Sequence, residues 1–234
     1  MQDIRSNQSH RAISAPEIVC RPLGVFDRTK LDEVRRAFQS VPPCLLGQAW
    51  LVENQPDFSP ATVRAGWREN SLFIFAELAD RDIFNRATEL NQRTWEMGDV
   101  FEIFLGCAGN PRYVEFHVTP GNQKLQLRYG GSDAVARARS TGELREFLIP
   151  VEVFRSTTWV ESRLQQWNVL AEIPASIVCD SNATLGNAKW RLSFSRYDYT
   201  RGAAEPCISS TSRHAEPDFH RQHEWGVLTF KTHS

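Results

Sequence analysis

The 234-residue sequence lacks a charge imbalance, a long apolar run and a dense cysteine pattern. Lys and Arg number 27 against 28 Asp and Glu, a formal net charge of −1. That balance removes the electrostatic case for nucleic acid or an anionic membrane as the main partner. Apolar stretches such as Leu72 to Ala76 are far shorter than the ~20 residues of a spanning helix. The five cysteines (Cys20, Cys44, Cys107, Cys179, Cys207) are odd in number and widely spaced, with no CxxC pair. Neither a disulfide framework nor a zinc ribbon is indicated. The first ten residues, MQDIRSNQSH, are polar and lack the apolar core of a signal peptide, so the expected location is the cytoplasm. Internal repeats and low-complexity tracts are absent as well.

What is present is ordinary globular chemistry. Hydrophobic residues make up 41% and charged residues 24%, which excludes disorder as the general state. Residues 1–22 read as a polar lead-in, and residues 23–234 as a single domain. Thr29–Ser40 is the best helix candidate: Leu31, Val34 and Phe38 form an apolar stripe, and Thr29 with Asp32 resembles a capping box. Pro42-Pro43 ends it. A short helical turn is expected over Pro174–Val178, before Asp180-Ser181-Asn182 breaks the pattern.

Everything else reads as strand: Thr62–Trp67, Leu72–Leu78, Asp99–Leu105, Tyr113–Thr119, Lys124–Tyr129, Phe147–Phe154, Trp167–Ile173, Lys189–Tyr197 and Val227–Lys231. Short strands at this spacing, with little helix between them, predict an all-β fold. The expected form is an antiparallel β-sandwich of two sheets around one core, with one or two short helices.

The hairpin around Gly109-Asn110-Pro111 carries most information. One register parity alone groups Phe101, Ile103 and Leu105 with Val114, Phe116 and Val118, and burial demand usually sets register. Glu102, Glu115 and His117 are then left side by side on the opposite face. On the next strand, Leu125 and Leu127 are expected inward and Gln126 and Arg128 outward. A solvated outer face is the plainer reading of such a surface. Phe104 and Tyr113 on that face argue instead for a partly covered, concave one, suited to a hydroxyl-rich ligand.

Four stretches, in order, resemble one family. They are Trp95-Glu96-Met97-Gly98-Asp99-Val100-Phe101-Glu102-Ile103-Phe104-Leu105, Tyr113-Val114-Glu115-Phe116-His117-Val118-Thr119-Pro120, Trp190-Arg191-Leu192-Ser193-Phe194-Ser195-Arg196, and Phe219 through Leu228. Together they are similar to the strand motifs of family 9 carbohydrate-binding modules and their DOMON-like relatives, over roughly residues 45–230. The resemblance implies a jelly-roll or DOMON-like β-sandwich that holds a mono- or oligosaccharide, at a chain end, between two aromatic rings. It makes Trp95 the first ring, with one extra residue before Asp99, and Phe219 the second, where relatives carry Trp. Glu102 and His117 fall at sugar-contacting positions, and Ser193 where relatives have an amide. The family also implies structural calcium, with Asp80 and Asp82 as possible ligands. Its function would be non-catalytic carbohydrate binding, accessory to carbohydrate degradation.

Other readings compete. Glu102 and His117 could be an ordinary cross-strand pair, Trp95 an edge aromatic, Arg191 and Arg196 structural, and Trp225 core. As a glycosidase pair, Asp99 and Glu102 sit three residues apart on one strand and point to opposite faces, which argues against catalysis. His214, His220 and His223, with Cys207 and Asp218, form a loose cluster without the second tight pair of a zinc site. A haem-binding electron-transfer domain would use Met97 and His117 as axial ligands. A module that has kept the fold and lost its ligand, serving only for interaction, is the remaining alternative.

Overall fold

The computed structural model describes residues 15–179, 185 and 189–231. Asp180-Ser181-Asn182, expected to break the last helical turn, lie outside the described residues.

Among the described residues twelve strands form: β1 (Glu17–Pro22), β2 (Cys44–Leu45), β3 (Ala61–Arg68), β4 (Ser71–Ala79), β5 (Val100–Cys107), β6 (Tyr113–Val118), β7 (Lys124–Tyr129), β8 (Arg155–Glu161), β9 (Gln166–Pro174), β10 (Trp190–Asp198), β11 (Cys207–Ser210) and β12 (Gly226–Phe230). Three short helices accompany them: α1 (Leu31–Phe38), α2 (Ser132–Thr141) and α3 (Ala175–Val178). None is long and apolar enough to cross a membrane.

The strands join in one curled sheet of order β7-β6-β5-β10-β12-β1-β3-β4-β9-β8, with β11 against β10 and β2 against β3. The two separate antiparallel sheets expected from the strand spacing are therefore replaced by a continuous mixed sheet. The cause is β1. In the segment read as polar lead-in, Ile18 and Cys20 point inward while Glu17, Val19 and Arg21 are less buried, and it inserts parallel to both β12 and β3. The two inward side chains are buried. The sheet curls so that β5, β6 and β10 share one core with β3, β4 and β9.

The parity expected for β5 and β6 holds. Phe101, Ile103, Leu105, Val114, Phe116 and Val118 all lie in that core. The parity expected for β7 does not. Its register pairs His117 with Leu125 and Glu115 with Leu127, so both leucines share the face of the acidic and basic groups. There they join Phe104, Tyr113, Tyr129, Phe219 and Trp225 in a second apolar cluster, covered by Ala134, Val135 and Ala138 of α2. Gln126 takes the inner position instead. Its side-chain amide donates to the Val151 carbonyl (3.0 Å) and accepts from the Val153 N–H (2.9 Å), which satisfies its buried polar atoms.

Three local expectations also change. The apolar run Phe147–Phe154 is not a strand: Pro150 interrupts it, and Phe147, Ile149 and Phe154 enter the two cores from a turn and loop. The edge strand is β8, whose residues are mostly half-buried. At α1 the capping box does not form. Lys30 is the N-cap residue without a side-chain bond, and Asp27 accepts from the Thr29 N–H and hydroxyl instead. Among the widely spaced cysteines, Cys107 and Cys179 are joined in a disulfide, while Cys20, Cys44 and Cys207 are free thiols.

Candidate functional site

The face opposite the main core carries a pocket of about 340 Å³. Strands β5 and β6 supply its floor. Glu102 and His117 are direct register partners across the two strands, and Glu115 precedes His117 by two residues on the same face. His117 Nε2 lies 2.6 Å from Glu115 Oε1 and 3.2 Å from Glu102 Oε1. On the other side of the ring, His117 Nδ1 is 2.9 Å from the Thr94 hydroxyl, in the turn that precedes β5. All four residues are buried.

That burial sets the protonation of the floor. Desolvation, reinforced by Glu115, pushes the Glu102 carboxyl up to about 8, against the opposing charge of His117. Burial also opposes the ionisation of Glu115, but the nearby His220 and His117 outweigh it and hold its carboxyl below the usual range. For His117, burial alone would favour the neutral ring; the carboxylates of Glu102 and Glu115 reverse the balance and raise its value. One proton-rich acid, one ionised acid and one basic ring thus share a single point at the pocket floor.

Trp95 stands at the rim, its ring 5.6 Å from the His117 ring and at 71° to it. The turn between Trp95 and Asp99 requires a glycine. Gly98 has φ 140°, and a Cβ there would lie 2.4 Å from the Phe84 carbonyl oxygen, so only glycine fits this turn. The guanidinium of Arg93 lies 5.8 Å from the indole ring. On the opposite side, Arg139 of α2 forms a two-pronged ion pair with Asp218, at 2.6 and 3.1 Å, linking the helix to the loop before β12.

Five of the six residues singled out from sequence line this pocket: Trp95, Glu102, Glu115, His117 and Phe219. Ser193 does not. It is fully buried on β10, its hydroxyl 3.0 Å from that of Ser210 on β11, because β11 covers that stretch of β10. Phe219 is a wall more than a free platform. It is 5% exposed, and its ring packs near Phe104, Tyr197, Trp50 and His214.

His220, which the sequence offers only as a member of a loose histidine cluster, lines the pocket. Its Nδ1 lies 2.6 Å from the Tyr113 hydroxyl and 3.8 Å from Glu115 Oε2, and burial lowers its basicity. The histidine cluster suggested by His220-x-x-His223 breaks apart in space. His214 is buried against Glu224, His220 faces the pocket and His223 is exposed. Trp225 is buried, its indole N–H donating to the Phe219 carbonyl at 2.8 Å. Arg191 donates to the Gln222 carbonyl.

Asp80 and Asp82, the possible calcium ligands, do not share one ligand set. Asp82 pairs with Arg201. Asp80 instead meets Asp99 and Asp198, a set of oxygens that would suit calcium. The buried Arg196 guanidinium already takes the place of the cation, with Nη2 3.1 Å from both Asp80 Oδ2 and Asp198 Oδ1. The two oxygens of Asp99 accept the backbone N–H groups of Phe84 and Tyr199. The haem reading gains no support either: Met97 is not among the residues lining the pocket that holds His117.

No protein-family model matches this chain, and no curated protein does. Solved structures do. A Bacteroides uniformis protein provisionally described as carbohydrate-binding superposes with a TM-score of 0.69 at 15% identity, over 93% of this chain and 100% of that one. A family 9 carbohydrate-binding module from Caldicellulosiruptor kristjanssonii, solved with cellotriose, gives 0.62 at 14% identity over 93% and 95%. A structure of a family 9 module from the same organism with glucose gives 0.61 at 14% identity over 93% and 97%. The chain has the fold of family 9 carbohydrate-binding modules.

Proposed function

We propose that this protein binds a mono- or oligosaccharide in the pocket of Trp95, Glu102, Glu115 and His117, without turning it over. The observation that carries this reading is the pairing of an indole at the rim with a charged hydrogen-bonding floor. An indole packs against the apolar C–H face of a sugar ring, and carboxylates accept from its hydroxyls with charge-assisted bonds. The fold adds support, since solved modules that share it hold glucose and cellotriose.

Glycoside cleavage would need two carboxyls flanking a bond, ~5–10 Å apart. Glu102 and Glu115 instead converge on one imidazole nitrogen, at 3.2 and 2.6 Å. They are placed to grip from one side. An accessory part in carbohydrate degradation is consistent with binding alone.

We also infer an oxidising compartment in place of the cytoplasm expected from the N-terminal residues. The Cys107–Cys179 disulfide supports this, because such bonds are rare where thiol buffers keep cysteines reduced. Mass spectrometry of the protein alkylated after unfolding without reductant would show three labelled thiols, and five once it is reduced.

A glycan array, followed by calorimetric titration of the hits, tests the main proposal. Saturable binding of a defined sugar is expected. A folded protein that binds no glycan would leave a ligand-less interaction module as the reading.

A further inference from the structure

The floor of the pocket has a property that sugar binding does not use. Two buried carboxylates and one imidazole nitrogen converge from three sequence positions on two adjacent strands, all within 4.8 Å of one another. The Thr94 hydroxyl sits 2.9 Å from His117 Nδ1. His117 Nε2 faces both carboxyl groups, so that one ring nitrogen and two carboxyl oxygens meet at one point. Glu115 Oε2 is also shut off from solvent without a hydrogen-bond partner among the described residues. The nearest cationic candidate, His220, is 3.8 Å away and already engages Tyr113. A proton shared among these groups balances the buried charge, and a metal ion bound at the same point displaces it.

We propose that Glu102, Glu115 and His117 bind one divalent transition-metal ion of the zinc type. One imidazole with two carboxylates is a zinc-like donor set, whereas calcium and magnesium ask for more oxygens and no nitrogen. Tetrahedral zinc with bonds of ~2.0–2.1 Å spaces its ligand atoms ~3.3 Å apart. Glu102 Oε1 and His117 Nε2 are already 3.2 Å apart. Glu115 Oε1, at 2.6 Å from the same nitrogen, must open by less than 1 Å or turn its unpartnered Oε2 inward. Thr94 fixes the ring from behind, as outer-shell partners of metal-binding histidines do. Three protein ligands leave a fourth position open toward the pocket, where water or a sugar hydroxyl can bind. The proposal goes beyond carbohydrate binding and does not depend on it.

Calorimetric titration of Zn²⁺ alone into the chelator-stripped full chain, with no sugar present, is the test. The wild type and His223→Ala, which removes an exposed histidine, are expected to bind one equivalent equally. His117→Ala is expected to lose binding, and Thr94→Val to weaken it about 10- to 100-fold, the scale of a lost outer-shell bond. Should His117→Ala fail the circular-dichroism check of folding, Glu115→Gln takes its place with the same expected loss. Absence of Zn²⁺ binding in the wild type overturns the proposal. So does binding that survives in the folded His117 or Glu115 variant, or that disappears in His223→Ala. Because sugar is absent throughout, these outcomes are independent of whether the pocket takes a glycan.

Discussion

Trp95 and Phe219, the two rings that the family resemblance pairs, do different work. Trp95 is partly buried beside the His117 ring, while Phe219 is held among four other aromatic rings. Trp95→Ala is therefore expected to weaken sugar binding about tenfold, the upper scale of one aromatic contact. Calorimetry on the best array hit measures it. Phe219→Ala is expected to lower stability by ~3–5 kcal/mol, since truncating a buried ring leaves a cavity. Urea unfolding reads that loss directly. The larger Phe219→Trp should destabilise rather than improve affinity, because the wall is already filled. Glu102, Glu115 and His117 were legible in the sequence because strand alternation forces them together once the apolar partners go inward. Ser193 lies outside the pocket, and no alternation pattern announces that β11 will pair beside its strand. The pocket position of His220 had no sequence signal because it depends on a loop, and loops carry no periodicity.

At the scale of elements, α2 and the loop before β12 convert an open sheet face into a pocket. Helix α2 had a signal: Gly131 and Gly142 bracket it at φ 133° and 68°, and Ala134, Val135 and Ala138 make a small apolar stripe. Its length and weak stripe hid it among strand-like neighbours. The loop is held by Glu224, which accepts from Arg221 Nε at 2.8 Å, meets His214 Nδ1 at 2.9 Å and accepts the Ala215 N–H at 3.3 Å. Burial opposes its ionisation, yet these donors hold its carboxyl at about 2, below the ordinary value of 4.5. A carboxyl lowered by folding stabilises the protein above its unfolded value and ceases to do so as pH falls through the folded one. Glu224→Gln is thus expected to destabilise most near neutral pH. The gap from wild type should shrink between about pH 4.5 and 2, read by urea unfolding across that range. A gap that stays constant with pH would assign Glu224 a role independent of its charge.

For the molecule as a whole, β1 and the disulfide are the features that strand spacing could not predict. Chain order does not reveal that a segment preceding the first helix will insert between β12 and β3, since that pairing spans nearly the entire sequence. The all-β class and the core strands were legible because their alternation is local. Cys107 and Cys179, separated by 72 residues, pin the end of β5 to the segment after α3. By loop-closure entropy, a bridge of that span contributes up to about 4 kcal/mol. Unfolding with and without reductant is expected to differ by an amount on that scale, and equal stability would mean the bond constrains nothing.

The central claim is that the sheet face carrying Glu102, Glu115 and His117 is a carbohydrate site. Backbone and indole NMR shifts recorded during titration with glucose, cellotriose and the array hits locate the site without any substitution. The account predicts saturable shifts confined to the Trp95 indole, the Glu102–Phe104 and Glu115–His117 strand segments, and His220. Saturable shifts elsewhere on the sheet, with these signals unmoved, would contradict it.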